Sequence, residues 1–224
     1  MVDKQIGKII EDFREAGWVM EPEAKRIFSI AGLEVPRYTL AETSADAVSF
    51  AGQIGFPVVA KVVSPEVIHK TDVSGVEVGI ETPEKLEEVF ARFSGIKGFR
   101  GMLVEQMLEG TEMIVGAKTD SQFGPVILLG IGGVGVEIYK DSSIRMAPLG
   151  ENDVKSMVSE LKARQLLEGF RGSEPVNMEK LAGLVIRFSE LAVQLREKFE
   201  SIDLNPVICT SRDCVIADAR IILK

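Results

Sequence analysis

The feature that most constrains the fold is a run from Val58 to Ile80, in which two predicted strands flank a polar segment. The first strand, Val58–Val63, is apolar except for Lys61, and Pro65 ends it. The second strand runs from Gly75 to Ile80. A lysine inside an apolar strand is costly to bury unless a partner or a ligand offsets its charge. A strand lysine, a mobile polar loop and a returning strand are one way to build a phosphate clamp.

The polar segment contains His69, the only histidine in the chain. Two structural explanations compete with a functional role. Lys61 could lie on an edge strand with its stem packed and its ammonium in water, and His69 could be a solvated loop residue. Residue types alone leave these alternatives open, so the rest of the chain has to decide between them.

Composition and charge exclude several classes of function. A net charge of −8 at pH 7 argues against nucleic-acid binding, because phosphate backbones are bound by surplus Lys and Arg. Cys209 and Cys214 could face each other across a hairpin, but two reduced thiols are the expectation. The charged N-terminus does not resemble a signal peptide, and the longest apolar run, Val126–Val136, is too short to span a bilayer. We expect a soluble cytoplasmic protein.

The order of predicted elements is typical of an α+β fold and not of a strictly alternating parallel sheet. Helices are predicted at Asp3–Ala16, Glu21–Ala31 and Met178–Phe199, and two shorter helices are predicted within Glu151–Leu167. A further helix is capped by Ser44 and ends at Gly55, and another begins after its cap, Thr82. Strands are predicted at Val35–Leu40, Val58–Val63, Gly75–Ile80, Gly101–Met107, Glu112–Lys118, Pro125–Leu129, Val136–Tyr139, Ile144–Ala147, Ile202–Ile208 and Val215–Leu223.

Three glycines, Gly130, Gly132 and Gly135, match the dinucleotide fingerprint G-x-G-x-x-G. That fingerprint requires a helix directly after the glycines, whereas Val136–Tyr139 alternates like a strand. The glycines therefore predict tight backbone turns beside a ligand in preference to a Rossmann site.

The predicted terminal hairpin carries a possible metal site. Asp203 and Asn205 alternate with Leu204, so their side chains share one face of a strand, and Asp218 on the returning strand could lie opposite them. Oxygen ligands from two neighbouring strands suit Mg²⁺. The alternative is a solvated polar face, and Pro206 does not suit a central strand.

A pair of acidic residues, Glu105 and Glu112, flanks a strand-to-strand crossover. The backbone of Glu105–Leu108 could pair with an adenine edge, and the carboxylate of Glu112 could accept hydrogen bonds from ribose hydroxyls. From spacing alone, two surface glutamates explain the pattern equally well.

Several motifs in this order resemble one family. They are Pro57–Lys61, Ser64–Val76, Phe123–Gly133, Val136-Glu137, Arg145–Leu149 and Asp203–Val207. Together they resemble the ATP-grasp β subunits of ADP-forming acyl-CoA (acetyl-CoA) synthetases, a family similar in design to succinyl-CoA synthetase. The resemblance extends from Glu21 to the end of the chain. One departure is Ser74-Gly75, where the family pattern leads us to expect two glycines.

The resemblance implies an ATP-grasp fold whose two lobes grip a nucleotide. The first lobe is expected over residues 15–106 with a phosphate loop at 64–75, and the second over 1–14 and 107–224 with a metal-binding hairpin at 202–223. It also implies the following site residues: Lys61 on nucleotide phosphate; Glu105, Gln106, Met107 and Leu108 on adenine; Glu112 on ribose; Asn205 and Asp218 on Mg²⁺, with Asp203 beside them; His69 as phosphate carrier; and Arg145 facing the phosphates.

The implied reaction is acyl-CoA + ADP + phosphate ⇌ carboxylate + CoA + ATP, of which this chain performs the nucleotide half. The chain is too short for a separate CoA-binding unit, so a partner α subunit in an α₂β₂ assembly is expected. A non-catalytic module that senses ADP or ATP would keep Lys61 and Glu112 without needing His69. Another ATP-grasp carboxylate ligase would need an acceptor pocket of its own, for which the sequence offers no residues.

Overall fold

A computed structural model describes residues 3–133, 141–169 and 174–224 of the chain. It divides the chain into two units, Pro36–Leu108 and Met1–Val35 with Glu109–Lys224. The helices are α1 (Lys4–Asp12), α2 (Glu21–Ile30), α3 (Ser44–Ile54), α4 (Pro83–Ser94), α5 (Glu151–Glu160) and α6 (Met178–Leu195). The strands are β1 (Trp18–Val19), β2 (Tyr38–Ala41), β3 (Val58–Val63), β4 (Val76–Ile80), β5 (Gly101–Gln106), β6 (Thr111–Asp120), β7 (Gly124–Ile131), β8 (Ser142–Met146), β9 (Phe199–Cys209), β10 (Cys214–Ile216) and β11 (Arg220–Leu223).

These elements follow the predicted order, with local corrections. Thr43, and not Ser44, caps α3, because the Thr43 side chain accepts a hydrogen bond from the Asp46 amide at 3.1 Å. The last long helix ends at Leu195, since Phe199 already begins β9. The strand predicted at Val136–Tyr139 lies outside the described residues.

The unit Pro36–Leu108 contains a four-stranded antiparallel sheet in the order β2-β5-β3-β4. One face packs against α3 and α4; its buried residues include Ala60 and Val104 from the strands and Ala51 and Phe93 from the helices. The opposite face carries Lys61. Because β3 lies between β5 and β4, Lys61 is not on an edge strand, and that structural alternative is wrong.

The other unit contains a seven-stranded sheet in the order β1-β11-β9-β6-β7-β8, with β10 paired to β9. All described pairings are antiparallel. We call the face that packs against α1, α2, α5 and α6 the core face; Ala117, Ile127 and Ile202 lie on it. The other side, which we call the open face, carries Gly116, Leu128 and Asp203, which are register partners in neighbouring strands.

The boundaries between the two units fall at residues 36 and 109, whereas the boundaries between the lobes were expected at residues 15 and 107. Residues 15–35 lie with the C-terminal region because Ile27 and Phe28 of α2 are buried in the core of that unit. The second boundary falls directly after Leu108, at the end of the predicted hinge. Within the described ranges, no helix has both the length and the apolar character needed to cross a membrane.

Candidate active site

The lysine on β3 is held by a carboxylate on the neighbouring strand β5. Lys61 is the register partner of Leu103, so Glu105, two residues further along β5, lies on the same sheet face. The Lys61 Nζ to Glu105 Oε1 distance is 2.8 Å, and the two side chains are 6% and 3% exposed. Each charge therefore offsets the desolvation cost of the other.

This ion pair changes the interpretation of the predicted hinge. The Glu105 carboxylate contacts Lys61, so its side chain acts within the sheet. The Gln106 amide donates to the carbonyl of Arg37 at 3.0 Å, and its side chain is exposed. Met107 and Leu108 follow the strand and are half-buried. A role in adenine binding for these backbone groups stays a prediction.

The loop between β3 and β4 is fixed at its first end by Ser64. The buried Ser64 hydroxyl donates to the carbonyl of Lys97 at 2.8 Å and accepts from the Glu66 amide at 3.1 Å. Gly98, with φ +73°, lies so close that an added Cβ would be 2.7 Å from Ser64 Oγ. Only glycine suits both the left-handed backbone and this close approach.

The second end of the loop is fixed by Gly75. Its carbonyl accepts a hydrogen bond from the Val62 amide at 2.8 Å, and its own amide donates to the backbone carbonyl of Lys70 at 2.7 Å. A Cβ at this position would be 2.4 Å from Val62 Cγ1. Ser74, which stands where we expected a glycine, adopts a left-handed backbone with φ 50°. Serine is thus tolerated there at some conformational cost.

His69 lies between these two anchored ends. It precedes a short 3₁₀ turn, Lys70–Val73, and it is exposed. Ile68 and Val73 beside it are also exposed, at 44% and 41%. The segment from Ile68 to Ser74 therefore presents the imidazole from a loop whose two bases are anchored to the sheet of this unit.

The candidate metal ligands lie on the open face of the seven-stranded sheet. Asp203 is half-buried and Asn205 is exposed, whereas Leu204 between them is buried in the core. The pairing of β9 with β6 shifts register between Met113 and Val115, which places a bulge at Asn205-Pro206. The bulge explains how a proline is accommodated in this central strand.

Asp218 lies in the connection between β10 and β11, not within a continuous returning strand as predicted. The amides of Ala217 and Asp218 donate to the Pro206 carbonyl at 3.0 and 3.3 Å, which fixes this connection beside the bulge. Asn205 and Asp218 are therefore neighbours, and neither is buried. Their side-chain oxygens fit a Mg²⁺ ion that keeps several waters and takes other ligands from phosphates.

Asp203 fits direct coordination less well, because Arg220 on β11 contacts its Oδ2 at 3.0 Å. Among the residues described here, no group of three or more His, Cys, Asp or Glu side chains converges as metal ligands would. A metal at this position would thus depend on the carboxylate of Asp218, the amide oxygen of Asn205, water and a bound phosphate.

Glu112 begins the open-face row of β6 and is exposed. Its carbonyl accepts from the Gly132 amide at 2.6 Å, and a Cβ on Gly132 would be 2.9 Å from the Glu112 Cβ. Gly132 therefore serves close packing against β6. Gly130 lies within β7, whose described partners are all antiparallel, so the glycine run is not part of a parallel βαβ unit. Gly135 lies outside the described residues.

Arg145 is not brought together with the metal-binding candidates. It is the register partner of Ile127, so its side chain leaves β8 on the core face, opposite to Asp203. There it forms an ion pair with Glu160 at the end of α5 and donates to the Ser156 hydroxyl at 3.1 Å. The Glu160 contact raises the pKa of Arg145, and the guanidinium lowers the pKa of Glu160. This geometry favours a structural link between β8 and α5 over the predicted phosphate contact.

Sequence reasoning missed the partners of these charged groups. It proposed Lys61 and Glu105 separately, and it did not single out Arg220 or Glu160. The opposite charges were visible in the sequence, but their pairing depends on which strands and helices are neighbours. That information is absent from local periodicity.

The fold and the matched family define the class of protein. A family model described as an ATP-grasp domain matches residues 13–223. A relative from Pyrococcus furiosus, the subunit beta of acetate–CoA ligase [ADP-forming] I, is 41% identical over 213 residues, which cover 92% of this chain and 91% of the relative.

Solved structures agree with this match. The dinucleotide forming acetyl-coenzyme A synthetase 1 of Ca. Korarchaeum cryptofilum, in complex with coenzyme A, Ca-AMPCP and HgCl⁺, superposes with a TM-score of 0.90 at 40% identity, covering 97% of this chain and 99% of that one. The same protein with coenzyme A and Mg-AMPPCP has its phosphohistidine segment pointing towards the nucleotide binding site; it gives a TM-score of 0.86 at 39% identity, with 98% and 100% coverage. This chain belongs to the ATP-grasp family that includes the β subunits of ADP-forming acetate–CoA ligases.

Proposed function

We propose that this chain is the nucleotide-binding subunit of an ADP-forming acyl-CoA synthetase, catalysing acyl-CoA + ADP + phosphate = carboxylate + CoA + ATP with a partner. In this proposal the phosphate reaches ADP through phosphorylated His69. The observation that carries the proposal is the exposed position of His69 on a loop anchored at both ends. The Korarchaeum relative, whose phosphohistidine segment points towards the nucleotide, supports the same role.

His69 suits a phosphate carrier on chemical grounds. A neutral imidazole nitrogen is a nucleophile for phosphorus, and the phosphoramidate that it forms stays reactive. Transfer to ADP breaks the N–P bond and forms an O–P bond to the terminal β-phosphate oxygen. A structural histidine would be buried within the fold, whereas His69 is exposed.

Lys61 would stabilise the negative charge of the transferring phosphate. Its burial keeps the ammonium in a low-dielectric setting, where a charge acts more strongly than in water. Glu105 would hold the ammonium in place, since the pair is 2.8 Å apart. We assign Lys61 to phosphate binding and Glu105 to positioning it, with Gln106, Met107 and Leu108 providing backbone contacts to adenine.

The unit that contains the seven-stranded sheet would supply the ribose and metal contacts. Glu112 would accept hydrogen bonds from the ribose hydroxyls, and Asn205 and Asp218 would hold Mg²⁺. Bound there, Mg²⁺ would neutralise phosphate charge during the transfer. Asp203 would contribute through its neighbouring charge, and Arg145 would act as a structural residue.

A partner must supply the acyl and CoA chemistry. The subunit naming of the Pyrococcus relative supports an α subunit as that partner. We propose an α₂β₂ assembly in the cytoplasm. No described observation favours the nucleotide-sensing module or the independent carboxylate ligase over this assignment.

The decisive experiment combines the chain and its co-purified partner with ADP, phosphate and a panel of acyl-CoAs. ATP formation should require both chains and one or more acyl-CoAs. The His69→Ala complex should bind ADP as the wild type does and form no ATP. Nucleotide binding without ATP formation for any acyl-CoA would instead favour the sensing module.

A further inference from the structure

The two cysteines lie directly opposite each other across a hairpin. Cys209 ends β9, Cys214 begins β10, and the two are register partners. They are 1% and 3% exposed, and both are free thiols. The proposed phosphate transfer uses neither of them, so their juxtaposition needs its own explanation.

The hairpin pairing determines how close the two side chains are. In the connecting turn, the Thr210 amide donates to the Asp213 carbonyl at 2.8 Å, which makes this the last hydrogen-bonded pair. Antiparallel pairs alternate, so the next pair, Cys209 with Cys214, is of the non-hydrogen-bonded kind. Such pairs have Cα atoms about 4.5 Å apart with side chains close together, within the range of about 4.4–6.8 Å that disulfides require.

The turn is also held against the start of α6. The Asn177 amide donates to the Thr210 carbonyl at 2.8 Å, and Lys180 pairs with Asp213 at 3.0 Å. The hairpin end therefore has little freedom to separate the two thiols. A bond between them would fix an arrangement that the fold has already adopted.

One of the two buried cysteines borders a cavity. Cys214 lines a cavity of about 290 Å³ between the end of α2 and α6, together with Lys180 and Arg187. The hydrogen bond with Cys214, together with burial, raises the pKa of the Cys209 thiol. Because Cys214 borders this cavity and Cys209 does not line it, Cys214 is the thiol that meets an oxidant first, and Cys209 is the resolving thiol.

We propose that Cys209 and Cys214 form a reversible disulfide that closes the β9–β10 hairpin when a small disulfide oxidant is present. The Cys214 thiolate attacks one sulfur of the oxidant, whose S–S bond breaks. Cys209 then attacks the Cys214 sulfur, the Cys–Cys bond forms and the mixed disulfide breaks. The two cysteines lose two electrons and two protons, and the oxidant leaves as two thiols.

The bond would restrain a hairpin that holds the candidate metal ligands. Asn205 lies upstream of Cys209 on β9, and Asp218 lies just beyond β10. This inference is independent of the proposed phosphate transfer. It concerns a covalent modification that the chain undergoes whether or not His69 carries phosphate.

The test compares the folded and the urea-unfolded wild-type protein in the same series of reduced and oxidised dithiothreitol buffers. After acid quenching and alkylation, mass spectrometry measures the fraction of chains that carry an intrachain bond. A disulfide that fits the native geometry forms more readily in the folded chain, because the fold holds the thiols together. We expect the equilibrium constant for oxidation to be at least about tenfold larger in the folded protein.

Cys209→Ser and Cys214→Ser are the matched controls, and neither should lose two hydrogens on oxidation. An equal or smaller oxidation constant in the folded protein would overturn the proposal, since it would mean that the native geometry opposes the bond. Disulfides that link separate chains, in place of the hairpin bond, would overturn it as well.

Discussion

Each unit has an ion pair between neighbouring strands, but the two pairs have opposite surroundings. Lys61 and Glu105 are 2.8 Å apart, with side chains 6% and 3% exposed. Arg220 and Asp203 are 3.0 Å apart, with side chains 30% and 46% exposed. The two distances are nearly the same, so the pairs differ in how much solvent reaches them.

Exposure to solvent determines the free-energy cost of separating each ion pair. Removing one partner of a buried pair leaves a charge in a medium that solvates it poorly, which costs about 3–5 kcal/mol. An exposed pair contributes about 0–1 kcal/mol, since water replaces the lost partner. The Lys61–Glu105 pair is therefore a fixed element of the proposed phosphate site. The Arg220–Asp203 pair can exchange partners at low cost, which suits the metal and nucleotide binding proposed for this surface.

The largest predicted effect is on the buried pair. Glu105→Gln should destabilise the unit Pro36–Leu108 by about 3 kcal/mol, because Lys61 keeps its charge and loses the carboxylate. Urea unfolding measures the loss in free energy of unfolding, and hydrogen exchange in β3 and β5 measures it within this unit. Glu88→Gln, in a largely exposed pair with Lys85, is the matched control and should change stability by less than about 0.5 kcal/mol. Equal losses of stability in the two variants would contradict the predicted difference between the buried and the exposed ion pair.

The next effect concerns metal-dependent binding. Asp218→Ala should weaken Mg²⁺-ADP binding by about tenfold or more, because losing a contact to a charged group costs about 1.5–3 kcal/mol. Calorimetry with Mg²⁺ and with EDTA separates the metal contribution, and the thermal midpoint should change little. Asp213→Asn alters an exposed aspartate in the turn of the same hairpin and should leave ADP affinity unchanged. Unchanged affinity for Asp218→Ala would mean that this surface is merely solvated.

The smallest effect is expected at the exposed pair. In a double-mutant cycle of Asp203→Asn and Arg220→Gln, the coupling free energy should be below about 1 kcal/mol. It should also fall as salt is added, because exposed charges are screened. A coupling of several kcal/mol would show that this pair is as fixed as the buried one.

The sequence predicted the unusual residues better than their partners. The position of Lys61 within an apolar strand was evident from neighbouring residues. Its partner Glu105 was not, because β3 and β5 pair across a loop, a strand and a helix. Likewise, alternation along β8 separates Arg145 from Ile144 and Met146, but only the pairing with β7 shows which side faces the core. Pro206 suggested an edge position, and the bulge that accommodates it depends on the register with β6.

The most direct test of the account asks whether His69 carries phosphate. The complex of this chain with its partner is incubated with Mg²⁺ and ATP labelled at the terminal phosphate, and the chains are separated under denaturing conditions. We expect an acid-labile, base-stable label on this chain that maps to the peptide containing His69 and is absent from the His69→Ala variant. Full ATP synthesis by the His69→Ala complex, with no label on the wild-type chain, would contradict the account, because phosphate would then reach ADP without passing through His69.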